Sequence, residues 1–331
     1  MKVMRDKVTV KDLYTDKREE LKLKLVGGSE GLEREIKTNY LSRPGLLFTG
    51  FKLHFNAEAV QILGPQNISY LEKLSVKERN KAVEMLLSYK EIPCIIISDK
   101  LTIPEILIKS CNSSKIPLFS TKIKRCDIVH QIYDYLETKK APYVYVHGTL
   151  VDVYGIGVLF TGKSGIGKSE TALDLVARGH RLVADDVVKI TRMTPGYILM
   201  GEGKEPVSFF HSHLEIRGLG VIDLSKIFGV RATRLHKRVE VEVNLVKWGE
   251  KKNIDRTGLE GKTKTILGVK IPLKIIPLVT GKNISVLSEM VALEHLLKIY
   301  GYNTPVIFNK RLLEMLRKRG EKLAHLDGDV E

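Results

Sequence analysis

Apolar positions along this chain fall into two spacings. Residues 75–87 form an amphipathic helical pattern, and Ser75 precedes Glu78 at the separation of a capping box. Residues 123–137 place Ile128, Ile132, Tyr135 and Leu136 at helical spacing. Residues 101–110 read as another helix, and residues 9–13 as a helix start. Between them lie short apolar runs at 22–26, 59–63, 92–97 and 116–119, which predict strands; Gly64-Pro65 ends the second. This alternation predicts an α/β fold with a parallel sheet.

The pattern resumes after Lys139-Lys140-Ala141-Pro142, a break that follows a helix and precedes a strand. Strands are predicted at 143–147 and 151–160. A helix is predicted at 169–178, with Ala172, Leu173, Val176 and Ala177 on one face and Gly179 as its stop. A further apolar strand from Arg181 ends in Asp185-Asp186. Residues 285–300 predict a strong amphipathic helix, and 309–322 a more charged one. With 331 residues the chain divides into two domains, an α/β domain over 1–137 and a second over 138–331.

Chemistry enters between the strand at 151–160 and the helix at 169–178. Gly162-Lys163-Ser164-Gly165-Ile166-Gly167-Lys168-Ser169 matches G-x-x-x-x-G-K-[ST] at every fixed position. Glycines let backbone curl around an anion, and loop N–H groups with the helix N-terminus then face phosphate oxygens. Lys168 supplies a mobile cation for the outer phosphates, and Ser169 a hydroxyl for Mg²⁺. A glycine-rich turn that binds nothing is the plainer alternative, but strand, loop and helix stand together here. The loop predicts binding of a nucleoside triphosphate or a molecule shaped like its phosphate chain.

Composition narrows the partners. Hydrophobic residues make up 43% and charged residues 28%, as in soluble globular proteins. No apolar run is long enough to span a bilayer, and the first residues lack a signal-peptide core, so no membrane partner is expected. Cys94, Cys111 and Cys126 have neither metal-ligand spacing nor an even framework, which fits reduced thiols in the cytoplasm. The net charge is +15, but the lysines are spread along the chain without an aromatic-basic motif, so no nucleic-acid partner is expected.

Other side chains acquire meaning from the loop. His147 ends a strand 15 residues before Gly162, where a tight turn between two strands would bring it beside the phosphates; a structural strand-end histidine is the alternative. Of Asp185 and Asp186, one can hold a metal and the other accept a proton, because neighbours on an extended strand point opposite ways. Gly218 and Gly220 beside Glu215 and Arg217 predict a tight active-site turn, and Arg256 is a candidate cation for transferring phosphate oxygens. His54, His130 and His295 read as surface or packing residues, and His211 with His213 as a non-metal pair.

These pieces together resemble the HPr kinase/phosphorylase family, bacterial enzymes that modify a serine of the phosphocarrier protein HPr. The resemblance rests on Val146-His147-Gly148, the loop with its Glu170-Thr171-Ala172-Leu173 continuation, and residues 178–186. It rests further on Leu214-Glu215-Ile216-Arg217-Gly218-Leu219-Gly220-Val221-Ile222-Asp223 and on Asp255-Arg256-Thr257-Gly258. It implies an N-terminal α/β domain followed by a P-loop catalytic domain like that of phosphoenolpyruvate carboxykinase. ATP would phosphorylate the HPr serine, and inorganic phosphate would remove that phosphate as pyrophosphate. Asp186 would be base and, in reverse, acid; His147, Lys168 and Arg256 would complete the catalytic set; Ser169 and Glu215 would bind Mg²⁺. The family forms homohexamers. Two features depart from its pattern. The loop at 277–282, tied to dephosphorylation, carries Thr280 and Lys282 where proline and arginine are usual, and Lys163 stands where an acid is common. Lysine keeps the charge but loses arginine's planar fork, which would retune the phosphorylase direction. A nucleotide-dependent switch and a small-molecule kinase use the same loop. The guanine-reading segment of GTPases is absent, since Asn309-Lys310-Arg311-Leu312 lacks its acid.

Overall fold

A computed structural model describes residues 2–194, 196–204, 212–216, 218–249, 261–279 and 281–327. The chain packs as two compact units, Arg5–Ala141 and Met1–Met4 with Pro142–Glu331.

The first unit is a sheet between two helical layers. Its elements are α1 (Val10–Lys17), β1 (Lys24–Gly27), β2 (Leu41–Ser42), β3 (Val60–Leu63), α2 (Pro65–Lys73), α3 (Val76–Leu87), β4 (Ile95–Ile97), α4 (Glu105–Ser114), β5 (Leu118–Ser120) and α5 (Arg125–Lys139). The strand order is β1-β5-β4-β3-β2; β2 to β5 run parallel, as expected, and β1 joins the edge antiparallel. Period-two alternation divides the core between the two faces. Ile95 and Ile97 pack with Leu71, Leu86 and Leu107, whereas Ile96 packs with Leu13, Ile128 and Ile132. The Ser75 cap forms as predicted: the Ser75 N–H donates to Glu78 Oε2 at 3.0 Å, and the Glu78 N–H to Ser75 Oγ at 3.4 Å. Two helices differ from expectation through proline. α2 begins at Pro65, where proline's fixed φ suits a first helical turn, although Gly64-Pro65 reads in sequence only as a strand end. α4 starts after Pro104 and not at Leu101, because proline disfavours helical backbone in the residue before it.

The second unit has a helical layer, a six-stranded sheet and a four-stranded sheet. It comprises β6 (Tyr143–His147), β7 (Thr149–Val153), β8 (Ile156–Gly162), α6 (Lys168–Ala177), β9 (Arg181–Ala184), β10 (Val187–Met193), β11 (Ile198–Gly203), β12 (His213–Ile216), β13 (Gly220–Asp223), α7 (Leu224–Phe228), β14 (His236–Arg238), β15 (Val241–Lys247), β16 (Thr263–Ile266), β17 (Val269–Leu278), α8 (Ile284–Ile299) and α9 (Thr304–Asp327). The larger sheet runs β16-β17-β15-β8-β7-β9, with β8, β15 and β17 parallel; the smaller runs β14-β11-β10-β6. Phe160, Val243, Leu175 and Ala292 pack together on the helical side, and Leu150, Leu159, Val188 and Ile190 between the sheets.

The run 151–160 is two strands and not one. Tyr154 and Gly155 have φ of 51° and 81° and fold β7 back on β8 in a two-residue hairpin. Tyrosine is rarely found in such a turn, so the usual Asn-Gly signal is missing.

A buried polar cluster ties the C-terminal end of α6 to α8. Arg178 Nε and Nη2 donate to the two oxygens of Glu289 at 2.8 and 2.6 Å, and His180 Nε2 lies 3.0 Å from Glu289 Oε1. The Arg178 hydrogen bonds hold the Glu289 carboxyl at about 2, well below its ordinary 4.5, despite desolvation. A depressed carboxylate stabilises the fold fully above its ordinary pKa, and that contribution vanishes as pH falls through the folded value. Glu289→Ala is expected to cost about 1–3 kcal/mol at neutral pH, because buried His180 and partly exposed Arg178 lose their acceptor. Urea unfolding of wild type and Glu289→Gln should show a difference that is constant above pH 4.5 and closes toward pH 2; a pH-independent difference would rule out this origin.

Candidate active site

The chain passes between the four-stranded and six-stranded sheets of the second unit at β6–β7, β9–β10 and β14–β15, and the site lies where the first two of these passages meet. The first is at His147-Gly148, from β6 to β7; the second is at Asp185-Asp186, from β9 to β10. The Gly148 N–H donates to the Asp186 carbonyl at 3.0 Å and links them. Gly148 is required by contact: a Cβ there would stand 2.5 Å from the Phe160 carbonyl oxygen. Asp186 has a φ of 62°, left-handed and uncommon for a residue with a side chain.

This turn gives the two carboxylates different partners. Asp185 Oδ1 accepts from Thr149 Oγ1 at 2.5 Å, and Oδ2 from Ser169 Oγ at 2.9 Å. The Asp186 carboxylate is 77% exposed, with Oδ1 3.1 Å from His147 Nδ1. His147 Nδ1 is also 2.9 Å from the Asp186 carbonyl. Both neighbours are acceptors, so Nδ1 carries the proton, and Nε2 accepts from Lys168 Nζ at 3.4 Å. His147 therefore reaches the loop from the second sheet, by pairing with Val187 of β10, and not by a hairpin with the loop strand.

The phosphate loop joins β8 to α6 as predicted. Gly162, Gly165 and Gly167 have φ of 148°, 71° and 101°, and a Cβ at Gly162 would lie 2.6 Å from the Leu245 carbonyl. Lys168 is 6% exposed; its Nζ donates to the carbonyls of Lys163 at 3.2 Å and Gly162 at 3.5 Å. Ile166 packs its side chain into the core, and its N–H donates to the Lys163 carbonyl. Behind the loop, buried Glu242 accepts from Thr161 Oγ1 at 2.7 Å, and Thr161 Oγ1 accepts from Asn244 Nδ2 at 3.0 Å. This network fixes the end of β8; nothing in the local pattern around Glu242 signalled it, because its partners come from a parallel neighbour strand.

A cleft of about 180 Å³ gathers His147, Ser164, Gly165, Gly167, Lys168 and Ser169 with Asp185, Asp186 and Glu215. Gly162, Lys163 and Ile166 do not line it; the carbonyls of Gly162 and Lys163 accept from Lys168 Nζ. Glu215 comes from β12, opposite Val221 in a hairpin with β13. Arg256, Arg217, His211 and Thr280 lie outside the described residues. Among the described residues no three His, Cys, Asp or Glu side chains gather closely enough to cage a metal ion.

Both halves of the chain match domains of one family. The HPr Serine kinase C-terminal domain matches residues 138–312, and the HPr Serine kinase N terminus matches residues 8–136. This chain belongs to the HPr kinase/phosphorylase family. The HPr kinase/phosphorylase of Chloroherpeton thalassium is 42% identical over 299 residues, covering 90% of this chain and 86% of that protein. That of a Geobacillus species is 42% identical over 310 residues, covering 94% and 97%. The Hpr(Ser) kinase/phosphatase structure from Coxiella burnetii is 32% identical and covers 50% of this chain and 98% of that one, with a TM-score of 0.44. Family membership makes the chain an enzyme of phosphoryl transfer, with the mixed α/β, P-loop architecture seen above.

Adding a methyl group at Gly148 tests the link between the two passages. Gly148→Ala is expected to destabilise the chain by about 1–3 kcal/mol, since the clash is with backbone and not with a flexible side chain. Urea unfolding measures this; an unchanged midpoint would mean that the link yields freely.

Proposed function

We propose that this chain transfers the γ-phosphoryl group of ATP to a serine of HPr, and that it removes that phosphate with inorganic phosphate to give pyrophosphate. The observation that carries the reading is the division of labour at the acid pair. Asp185 is tied to the loop hydroxyl of Ser169, whereas Asp186 is exposed at the cleft and oriented by His147.

In the forward direction the loop N–H groups and the start of α6 receive the ATP phosphates. Lys168, held on loop carbonyls, reaches the outer phosphate oxygens by a small swing of its flexible chain. Asp186 accepts the proton of the serine hydroxyl as its oxygen attacks in line, and His147 positions that carboxylate through Nδ1–H. In reverse, phosphate attacks the phosphoserine phosphorus and Asp186 returns the proton to the leaving serine. No covalent enzyme intermediate is required. Arg256 is assigned the cation that neutralises the transferring oxygens.

The donor set suits Mg²⁺. Ser169 Oγ, Asp185 and Glu215 are hard oxygen donors on one cleft, and Mg²⁺ characteristically uses one or two carboxylates with waters and substrate phosphates, without a protein cage. Bound there, it would offset phosphate charge during transfer. Asp185 thereby joins Ser169 and Glu215 as a metal ligand.

We further assign the chain to the cytoplasm as a homohexamer. No helix among the described residues is long and apolar enough to cross a membrane. Exposed Met290, Leu297, Phe308 and Met315 on α8 and α9 offer apolar surface for self-association. Sedimentation equilibrium should give about six times the chain mass; a monomer at micromolar concentration would exclude the hexamer.

Asp186→Asn is expected to slow transfer to HPr and pyrophosphate formation alike, by about 10²–10⁴-fold, with ATP affinity retained. Label from [γ-³²P]ATP appearing on an HPr serine separates the kinase from a switch, which would only hydrolyse ATP. It also separates it from a small-molecule kinase, which would leave HPr unlabelled. Near-normal turnover in Asp186→Asn would remove Asp186 from the role of base.

A further inference from the structure

Thr149 opens β7 and does not line the cleft, yet its side chain meets one of the cleft's acids. Leu150 of β7 stands opposite Ala184 of β9, so Thr149 and Asp185 are the next neighbours across the two strands. Thr149 Oγ1 lies 2.5 Å from Asp185 Oδ1, the separation of a strong hydroxyl–carboxylate hydrogen bond with the hydroxyl as donor. Thr149 is 0% exposed, so solvent does not compete for this hydroxyl. Its β-branched side chain is stiff at χ1, and it is held opposite Phe160 of β8.

The effect is to divide the two oxygens of Asp185. Oδ1 is committed to a buried protein donor. Oδ2 accepts from Ser169 Oγ at 2.9 Å, in the first turn of α6. Asp185 differs in this from the other acids of the cleft. The Asp186 side chain is 77% exposed, with Oδ1 against His147, and Glu215 is exposed on β12.

Divalent cations differ in how they use a carboxylate. Mg²⁺ is small, demands near-ideal octahedral geometry and keeps several of its waters. The two oxygens of one carboxylate stand too close together to fill neighbouring corners of that octahedron. Ca²⁺ is larger, takes more oxygens and accepts both oxygens of one carboxylate. A carboxylate that offers a single oxygen therefore suits Mg²⁺ and withholds from Ca²⁺ a ligand that would favour it.

We propose that Thr149 is a positioning residue: it makes Asp185 a one-oxygen ligand and so sets the preference of the cleft for Mg²⁺ over Ca²⁺. The proposal rests on the reading of Ser169, Asp185 and Glu215 as the Mg²⁺ donors, and it holds whether or not the chain acts on HPr. The hydroxyl works by occupying Oδ1. Its removal leaves that oxygen free to turn to a cation.

Cation binding to the full-length protein provides the test. Bound Mn²⁺ is read from the loss of its free electron paramagnetic resonance signal, and Mg²⁺ and Ca²⁺ are added as competitors. Wild type should release Mn²⁺ to Mg²⁺ at lower concentration than to Ca²⁺. Thr149→Val keeps the branched shape and removes the hydroxyl. It should improve Ca²⁺ relative to Mg²⁺ by about tenfold, as one hydrogen bond to a charged group is lost. Thr149→Ser restores the hydroxyl and should return the ratio to that of wild type. A loosened fold would instead weaken both cations together, leaving their ratio unchanged. Three results would overturn the role of Thr149 while the metal reading stands: a wild-type preference for Ca²⁺, an unchanged ratio in Thr149→Val, or the same shift in Thr149→Ser. Mn²⁺ bound by wild type no more tightly than by Asp185→Asn would remove the metal reading itself, and the proposal with it.

Discussion

A left-handed turn at Asp186 separates two adjacent carboxylates, and the chemistry of the second unit depends on that separation. In extended backbone the two side chains would point to opposite faces of the strand, and only one could face the cleft. With the turn, Asp185 accepts from Thr149 and Ser169, and Asp186 faces His147 and open cleft. The turn persists because surrounding structure over-determines it: the Asp186 carbonyl accepts from both Gly148 and His147, and β10 pairs along its length with β6.

The same turn carries the chain from the six-stranded to the four-stranded sheet. The groups that line the cleft are thus held at the ends of strands that belong to different layers. The phosphate loop comes from β8 and α6, His147 from β6, and Glu215 from the β12–β13 hairpin. Phosphoryl transfer relies on positioning and electrostatics more than on covalent chemistry, and strand ends anchored in two cores suit that demand. The Arg178–Glu289–His180 cluster extends the anchoring to α8 behind the loop helix.

The two units handle charge differently. In the phosphate-loop cleft, cations and acids are interleaved, so proton transfer and metal binding can share one small volume. A cleft of the first unit is lined by Arg18, Lys22, Lys24, Lys100 and Lys122 with one carboxylate, Glu19.

Much of this was legible in the residue order. The phosphate loop is a local motif: its glycines, Lys168 and Ser169 act through their own backbone, so contiguous sequence suffices. Helix caps and the parallel sheet of the first unit were legible for the same reason, being set by short-range periodicity. The hairpin at Tyr154-Gly155 was not, because tyrosine gives no turn signal. The reach of His147 to the loop was expected from a tight turn between two strands; its pairing with Val187 of β10 was not legible, since such pairings join residues dozens of positions apart. The hydrogen bonds of Asp185 to Thr149 and Ser169, the Glu242 network and the lysine-lined cleft were likewise beyond reach. Each assembles residues distant in sequence, and only packing decides which of many similar side chains meet. What the order of residues determined alone was the local chemistry of phosphate binding; tertiary structure decided which acid stands free to act, because that follows from how two sheets are joined.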